Sequence, residues 1–291
     1  MRYPNFYIVG AAKAGTSSLY SYLKDIPGIF MSPIKEPNYF SRQILPDNHR
    51  LKPIRDENKY LNLFKGAKNE TILGEASPSY LVDPGAAELI HYYSPHAFIL
   101  ISLRDPVERL FSHYLMMRRN GILKASFYSE IMNSLKSKHN KLRDNLHLER
   151  SFYYENINKY LDIFGTDQVK IIIFEEFAKN EKDAIKNILM FLKLKSELIN
   201  FKADVYNKYR GVRGPLAQKI LQNQTIRRIS ERLIAPSTRR WLTERIIFKE
   251  DVKPEMGEKE RNILVDYYFD DVQKTKNLLG RHLPWKNFQD T

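Results

Sequence analysis

Phe6-Tyr7-Ile8-Val9-Gly10-Ala11-Ala12-Lys13-Ala14-Gly15-Thr16-Ser17-Ser18-Leu19 is the stretch that decides the fold. Its first four residues are aromatic or β-branched, the composition of a strand. Small residues and two glycines then make a turn, and Thr16, Ser17 and Ser18 supply hydroxyls for the first turn of a helix. A strand, a tight turn and a helix start in succession gather backbone N–H groups and the positive end of a helix dipole around one point, which makes an anion site. The same residues have a plainer use, since Ser and Thr cap helices and glycine makes turns wherever one is needed. The rest of the chain has to choose between the two.

Further runs of strand composition, Thr71–Leu73, Ala97–Leu103 and Val169–Phe174, alternate with segments of helical period. Ser17–Lys24, Pro106–Arg119, Phe152–Phe164, Lys182–Leu192 and Glu258–Leu279 are the clearest helices, and Gly165 and Gly280 stand where helices should stop. Strands apolar on both faces belong in a parallel sheet covered on both sides. The expected fold is therefore α/β and doubly wound: a P-loop-like parallel sheet flanked by helices on both faces. No repeat of fixed period and no Pro/Gly/Ser-rich linker divides the 291 residues, so one domain is expected. The polar stretches 42–59 and 120–150 read as insertions, the kind of element that forms lids or substrate contacts.

Composition narrows the function. A hydrophobic fraction of 43% with 12% aromatic residues builds a core and excludes wholesale disorder. The absence of cysteine removes disulfide frameworks, zinc ribbons, iron–sulfur clusters and thiol nucleophiles together, and it suits a reducing compartment; the cytoplasm is the expected location. The first apolar run breaks too early for a signal peptide, and the longest apolar stretches fall far short of the roughly 18–20 residues a spanning helix needs, so a soluble protein is expected. The formal net charge is +13, and Tyr206–Glu250 holds eleven Lys or Arg against three Glu. Such a segment either faces an anion or serves as a solvated basic face.

The spacing Gly10-x-x-x-x-Gly15-Thr16 matches a nucleotide P-loop, except that the lysine due after the second glycine is missing and Lys13 lies inside the loop. The strand around Phe98–Leu103 ends in Arg104, near where an NTPase carries the aspartate that holds magnesium. Asp105 is accounted for as the N-cap of a helix opened by Pro106, which leaves Arg104 as a fixed guanidinium. Ser112 lies about two turns along that helix. An Arg fork with a helical hydroxyl grips a second phosphate well. Two anion grips served by Lys and Arg point to a ligand with separate anionic groups, and without a His-x-x-x-His pattern no metal is expected.

Other segments follow in order along most of the chain: Lys35-Glu36-Pro37-Asn38-Tyr39-Phe40, Gly74-Glu75-Ala76-Ser77-Pro78-Ser79-Tyr80, Leu103-Arg104-Asp105-Pro106-Val107-Glu108-Arg109 through Ser112-His113-Tyr114, Arg150-Ser151-Phe152-Tyr153, and Arg210-Gly211-Val212-Arg213-Gly214-Pro215. Jointly they resemble the sulfotransferases that use 3′-phosphoadenosine 5′-phosphosulfate (PAPS), in the branch of heparan sulfate sulfotransferases and their bacterial relatives. The resemblance implies a single sulfotransferase domain over 1–291 that moves a sulfuryl group to an acceptor hydroxyl on a carbohydrate. By the same resemblance, Lys13, Ala14, Gly15, Thr16, Ser17 and Ser18 hold the 5′-phosphosulfate, and Arg104 and Ser112 bind the 3′-phosphate. Arg210, Gly211 and Arg213 close over the nucleotide, with Tyr153 among its contacts. Glu36 falls on the catalytic base and Lys13 on the leaving phosphate. The chemistry agrees, since an attacking hydroxyl must lose its proton to a nearby carboxylate, and a fixed cation offsets charge gathering on the leaving group.

Taken alone, Lys35-Glu36-Pro37 is an ordinary exposed turn; its place after the first helix marks it out. Some relatives of that branch carry a lysine where this chain has Ala76, so the acceptor stays open among a glycan, a lipid and a small hydroxylated metabolite. Other sulfotransferase branches use a histidine base, yet none of the seven histidines falls in the Glu36 segment, and His113 reads as a packed helix residue. Phe127 and Tyr128 are candidates to stack on a sugar. Two other classes compete: a P-loop kinase or NTPase, against which the misplaced lysine and the strand-end arginine count, and a nonenzymatic polyanion binder, which rests on charge alone. With no nucleic-acid-binding signature, no nucleic acid partner is expected. Oligomeric state is open.

Overall fold

Five strands form one all-parallel sheet: β1 (Phe6–Gly10), β2 (Ile29–Met31), β3 (Ile72–Ala76), β4 (Phe98–Leu103) and β5 (Val169–Ile173), in the spatial order β2-β3-β1-β4-β5. This computed structural model describes residues 2–42, 53–136, 146–195, 210–223 and 243–289. Helices α1 (Thr16–Leu23), α2 (Glu57–Leu61), α3 (Ala86–Tyr93), α4 (Pro106–Arg119), α5 (Phe127–Lys136), α6 (Tyr154–Phe164), α7 (Phe174–Lys179) and α8 (Glu181–Phe191) are interspersed with the strands or follow them. After these come α9 (Pro215–Gln222) and α10 (Glu258–Leu279). By its contacts the chain divides into two compact units: Met1–Arg109, Glu149–Tyr206 and Tyr267–Thr291 form one, and Leu110–Leu148 and Asn207–Asp266 the other.

The first unit holds the sheet. β1 lies at its centre with every residue buried, because it is paired on both edges and covered on both faces. Side chains alternate along a strand. Phe6 and Ile8 therefore share one face, where they join a core with Leu19 and Leu23 of α1 and Ile185, Ile188 and Leu189 of α8. Tyr7 turns the other way, its ring 5.9 Å from Phe40, on a side where Tyr60 of α2, Tyr80 and Tyr160 of α6 are wholly buried. Each such burial contributes roughly 1.5–3 kcal/mol, so a charge at Phe6 or Ile8 would break the sheet's centre. The result is the expected parallel α/β architecture.

Connections set where a ligand goes. The chain leaves β1 toward the β3 and β2 side, whereas from β4 it leaves toward β5. The switch point therefore lies at the carboxyl ends of β1 and β4, where doubly wound sheets bind ligands.

In the second unit, β6 (Arg210–Val212) pairs antiparallel with β7 (Phe248–Glu250). Phe127 packs its ring 5.1 Å from Phe111 and 4.7 Å from Tyr114. The polar stretch 120–150 thus contains the helix α5, while 137–145 lie outside the described residues; likewise α2 begins within the stretch 42–59, of which 43–52 lie outside them. Among the described residues, no helix is long and apolar enough to cross a membrane.

Candidate active site

From Gly10 the chain turns through Ala11–Gly15 into α1. Lys13 and Gly15 both take left-handed conformations, with φ of 72° and 82°. Gly15 has a second reason to be glycine: a Cβ there would lie 2.7 Å from the ring of Phe174. The loop is fastened to β4, for the Ala11 N–H donates to the Ser102 carbonyl at 2.7 Å and Ser102 Oγ donates to the Ala14 carbonyl at 2.5 Å. Ala14, Thr16 and Ser18 are buried, Lys13 is half-buried and Ser17 is exposed. The first amides of a helix have no intrahelical acceptor. With no acidic residue in the first turn of α1, nothing on that helix opposes an anion there.

β4 delivers Arg104 to the same loop. Its Nη1 donates to the Lys13 carbonyl at 3.1 Å, its guanidinium sits 4.7 Å above the Phe174 ring, and Nη2 is 3.9 Å from Glu108 Oε2. Only 16% of the side chain is exposed, and Nε is buried with no hydrogen-bond partner among the described residues. An unmet guanidinium donor beside a phosphate-type loop suits an anionic oxygen. Tyr153, expected among the nucleotide contacts, is wholly buried and donates its hydroxyl to the Arg104 carbonyl at 2.8 Å, so its link to the site runs through Arg104. Asp105 caps α4 as expected, with Oδ1 accepting from the amides of Val107 (3.0 Å) and Glu108 (3.3 Å). Its Oδ2 accepts from the Asn287 amide (3.2 Å) and Nδ2 (2.8 Å). Burial pushes the Asp105 carboxyl up, and these donors pull it down.

Glu36 is seated at the carboxyl edge of β3, where its N–H donates to the Ala76 carbonyl at 3.0 Å. Glu36 and Asn38, on either side of Pro37, are left-handed with φ of 62° and 50°. The Glu36 carboxylate meets Lys35 Nζ at 2.5 Å and keeps 28% of its side chain exposed. Glu75, on β3, is wholly buried: Oε1 accepts from the hydroxyls of Tyr60 (2.8 Å) and Tyr80 (3.0 Å), and Oε2 from Ser77 (2.9 Å). Burial lifts its pKa from the ordinary 4.5 to about 7, against the pull of the three hydroxyls.

The remaining expected residues belong to the second unit. Ser112 is half-buried on α4, Arg210 and Gly211 sit on β6 opposite Glu250 and Lys249, and Arg213 is exposed just beyond that strand. His113 is buried, its ring 5.9 Å from that of His147. Phe127 is part of the aromatic core and is not presented to a sugar, whereas Tyr128 lies under Lys259 Nζ at 4.4 Å. Ala76 is wholly buried in the sheet core. Sequence reasoning missed Ser102 and Phe174, which shape the loop and carry Arg104. A serine and an aromatic residue at strand ends give no signal until the strands are aligned.

Residues 54–197 match the profile described as the sulfotransferase family. The crystal structure of a sulfotransferase from Alicyclobacillus acidocaldarius superposes with a TM-score of 0.72 at 30% identity, covering 97% of this chain and 98% of that one. Carbohydrate sulfotransferase 15 of Rattus norvegicus is 28% identical over 76% of this chain and 51% of its own length. The bifunctional heparan sulfate N-deacetylase/N-sulfotransferase of Drosophila melanogaster is 26% identical over 66% of this chain and 20% of its own length. The chain thus spans about half the length, or less, of these curated relatives. The bacterial relative, by contrast, aligns across nearly the whole of both chains, and on that ground this chain belongs to the sulfotransferase family.

Proposed function

We propose that this chain transfers a sulfuryl group from PAPS to an acceptor hydroxyl on a carbohydrate, with Glu36 as the proton acceptor. The observation that most supports a donor with a second, separate anionic group is Arg104, whose buried Nε lacks a partner among the described residues while Nη1 grips the phosphate-type loop. When bound, PAPS supplies an electrophilic sulfur whose leaving group is adenosine 3′,5′-bisphosphate. Backbone and hydroxyl donors from Lys13 to Ser18 hold the 5′ end, and Lys13 offsets charge on the departing phosphate. Arg104 binds the 3′-phosphate; Ser112, Arg210, Gly211 and Arg213 keep the nucleotide-binding roles that the resemblance gives them. Glu36 removes the acceptor's proton as its oxygen bonds to sulfur. The names of the carbohydrate and heparan sulfate relatives favour a sugar acceptor. A chain without cysteine suits a reducing compartment, and the cytoplasm is its place in this proposal.

The test offers PAPS with desulfated heparan oligosaccharides, a glycolipid and a phenol, and reads the mass gain of one SO₃ group. Glu36→Gln should cut turnover by about 10²–10⁴-fold while affinity for adenosine 3′,5′-bisphosphate barely changes. Near-normal turnover in that variant would remove Glu36 from the base role. Tight binding of ATP with magnesium and release of inorganic phosphate would instead make the chain a P-loop phosphohydrolase.

A further inference from the structure

Two hydroxyls hold the loop that carries Glu36. The Asn38 N–H donates to Ser77 Oγ at 3.1 Å, and the Phe40 N–H donates to the Tyr80 hydroxyl at 3.1 Å. A hydroxyl has one hydrogen and two lone pairs, so each can receive these amides reliably only if its own hydrogen is committed elsewhere. Both commit it to the same group: Ser77 donates to Glu75 Oε2 and Tyr80 to Glu75 Oε1. Asn38 is held further by Ser79, which donates to its Oδ1 at 2.6 Å, and in turn its Nδ2 donates to the Glu36 carbonyl at 2.8 Å. Left-handed conformations at Glu36 and Asn38 are unfavourable for residues with a Cβ and persist only where surroundings impose them.

We infer that Glu75 is a positioning residue for Glu36: by taking the hydrogens of Ser77 and Tyr80 it turns their lone pairs onto the amides of Asn38 and Phe40, and so fixes the loop that presents Glu36. This rests on Glu36 being the base. The carboxylate form is the one that serves, because all three groups bonded to it are donors. A protonated Glu75 becomes a donor itself and holds fewer of the three hydroxyl hydrogens; where Ser77 or Tyr80 is the one released, its hydrogen is free to swing toward the amide it receives, and the loop loosens. Tyr7 from β1, Tyr60 from α2, Tyr80 from the turn after β3 and Tyr160 from α6 surround it, and burial pushes all four phenols well above their ordinary 10. Among these described neighbours, Glu75 alone changes charge near neutrality, at about pH 7. The clamp therefore closes as pH rises past that point.

The experiment is a double-mutant cycle between Glu36→Gln and Glu75→Gln. It follows release of adenosine 3′,5′-bisphosphate from PAPS, with a desulfated heparan oligosaccharide or water as acceptor. Calorimetric affinity for the bisphosphate serves as the measure of folding. Glu75→Gln should lower kcat about ten- to a hundredfold, the scale of a misplaced reacting group, with unchanged nucleotide affinity. The acid limb near pH 7 should vanish, and amide hydrogen exchange at Asn38 and Phe40 should quicken. In the Glu36→Gln background the same change should cost almost nothing more. Ser77→Ala and Tyr80→Phe, which cut one branch each, should reproduce the effect in part and carry the test if Glu75→Gln does not fold. An unchanged kcat and acid limb, or losses that add fully across the cycle, overturns the positioning role alone. A harmless Glu36→Gln overturns the base assignment and this inference with it.

Discussion

Arg104→Ala tests the nucleotide site with a magnitude that can be worked from its contacts. A charge-assisted hydrogen bond from the guanidinium to a phosphate is worth about 1.5–3 kcal/mol, or roughly ten- to a hundredfold and slightly more in Kd. The same substitution removes the hydrogen bond to the Lys13 carbonyl and the contact with the Phe174 ring. Those two together stabilise the native chain by about 1–2 kcal/mol, so a modest fall in Tm accompanies the loss of affinity. Two ligands separate the effects: adenosine 3′,5′-bisphosphate carries the 3′-phosphate, and adenosine 5′-monophosphate lacks it. In calorimetric titrations the wild type should prefer the bisphosphate by at least the factor above, and Arg104→Ala should lose that factor, keeping only the preference that Ser112 supplies. Arg104→Lys restores a charge without the planar fork, and should recover only part of the preference. A folded Arg104→Ala protein that still prefers the bisphosphate by the wild-type factor would refute the assignment.

Three further outcomes follow from the same geometry. Lys13→Ala should lower kcat more than it weakens bisphosphate binding, as expected of a group that acts on the leaving phosphate; equal losses in steady-state and binding measurements would count against that role. Turnover with PAPS should persist in EDTA, because Lys and Arg stand where an NTPase uses magnesium, and a loss reversed by added magnesium would favour the phosphohydrolase alternative. Folded Glu75 keeps its proton up to about pH 7 whereas the unfolded chain releases it near 4.5, so its contribution to stability is whole below about pH 4.5 and declines through pH 7, by about 3 kcal/mol. Glu75→Gln should gain stability relative to wild type across that window in urea melts; parallel pH dependences for the two proteins would show that Glu75 does not titrate there.

Much of the scaffold was legible because its cues are local. Phe6–Val9 followed by glycines and hydroxyls is a strand running into a helix within a dozen residues, and Pro106 behind Asp105 marks the start of α4 by capping alone. Gly165 and Gly280 end α6 and α10 with positive φ, where a side chain would be strained. Three-residue β2 escaped notice because Ile29–Met31 is too short to show a period, and it becomes a strand only by pairing with β3. The strand expected at Thr71–Leu73 runs on to Ala76, through a glycine and a glutamate that propensity rejects. Glu75 is the sharpest instance: an acidic residue is read as exposed until Tyr60 and Tyr80 are brought around it, and no spacing along the chain announces that. Phe174 likewise acquires its importance only once β5 lies beside β4 and the ring comes to rest near Gly15.

The bonds from Asn287 to Asp105 join positions 182 apart in the chain. Asp105 adjoins Arg104, so the residues that steady this guanidinium's neighbour are made long after it on the ribosome. The sheet and the loop after β1 consist of residues that appear by β5, and they can assemble on a nascent chain well ahead of that contact. A chain broken off before Asn287 would keep the Gly10–Ser18 loop and the Lys13 and Phe174 contacts of Arg104, while the Asp105 carboxylate beside it would lose two of its donors.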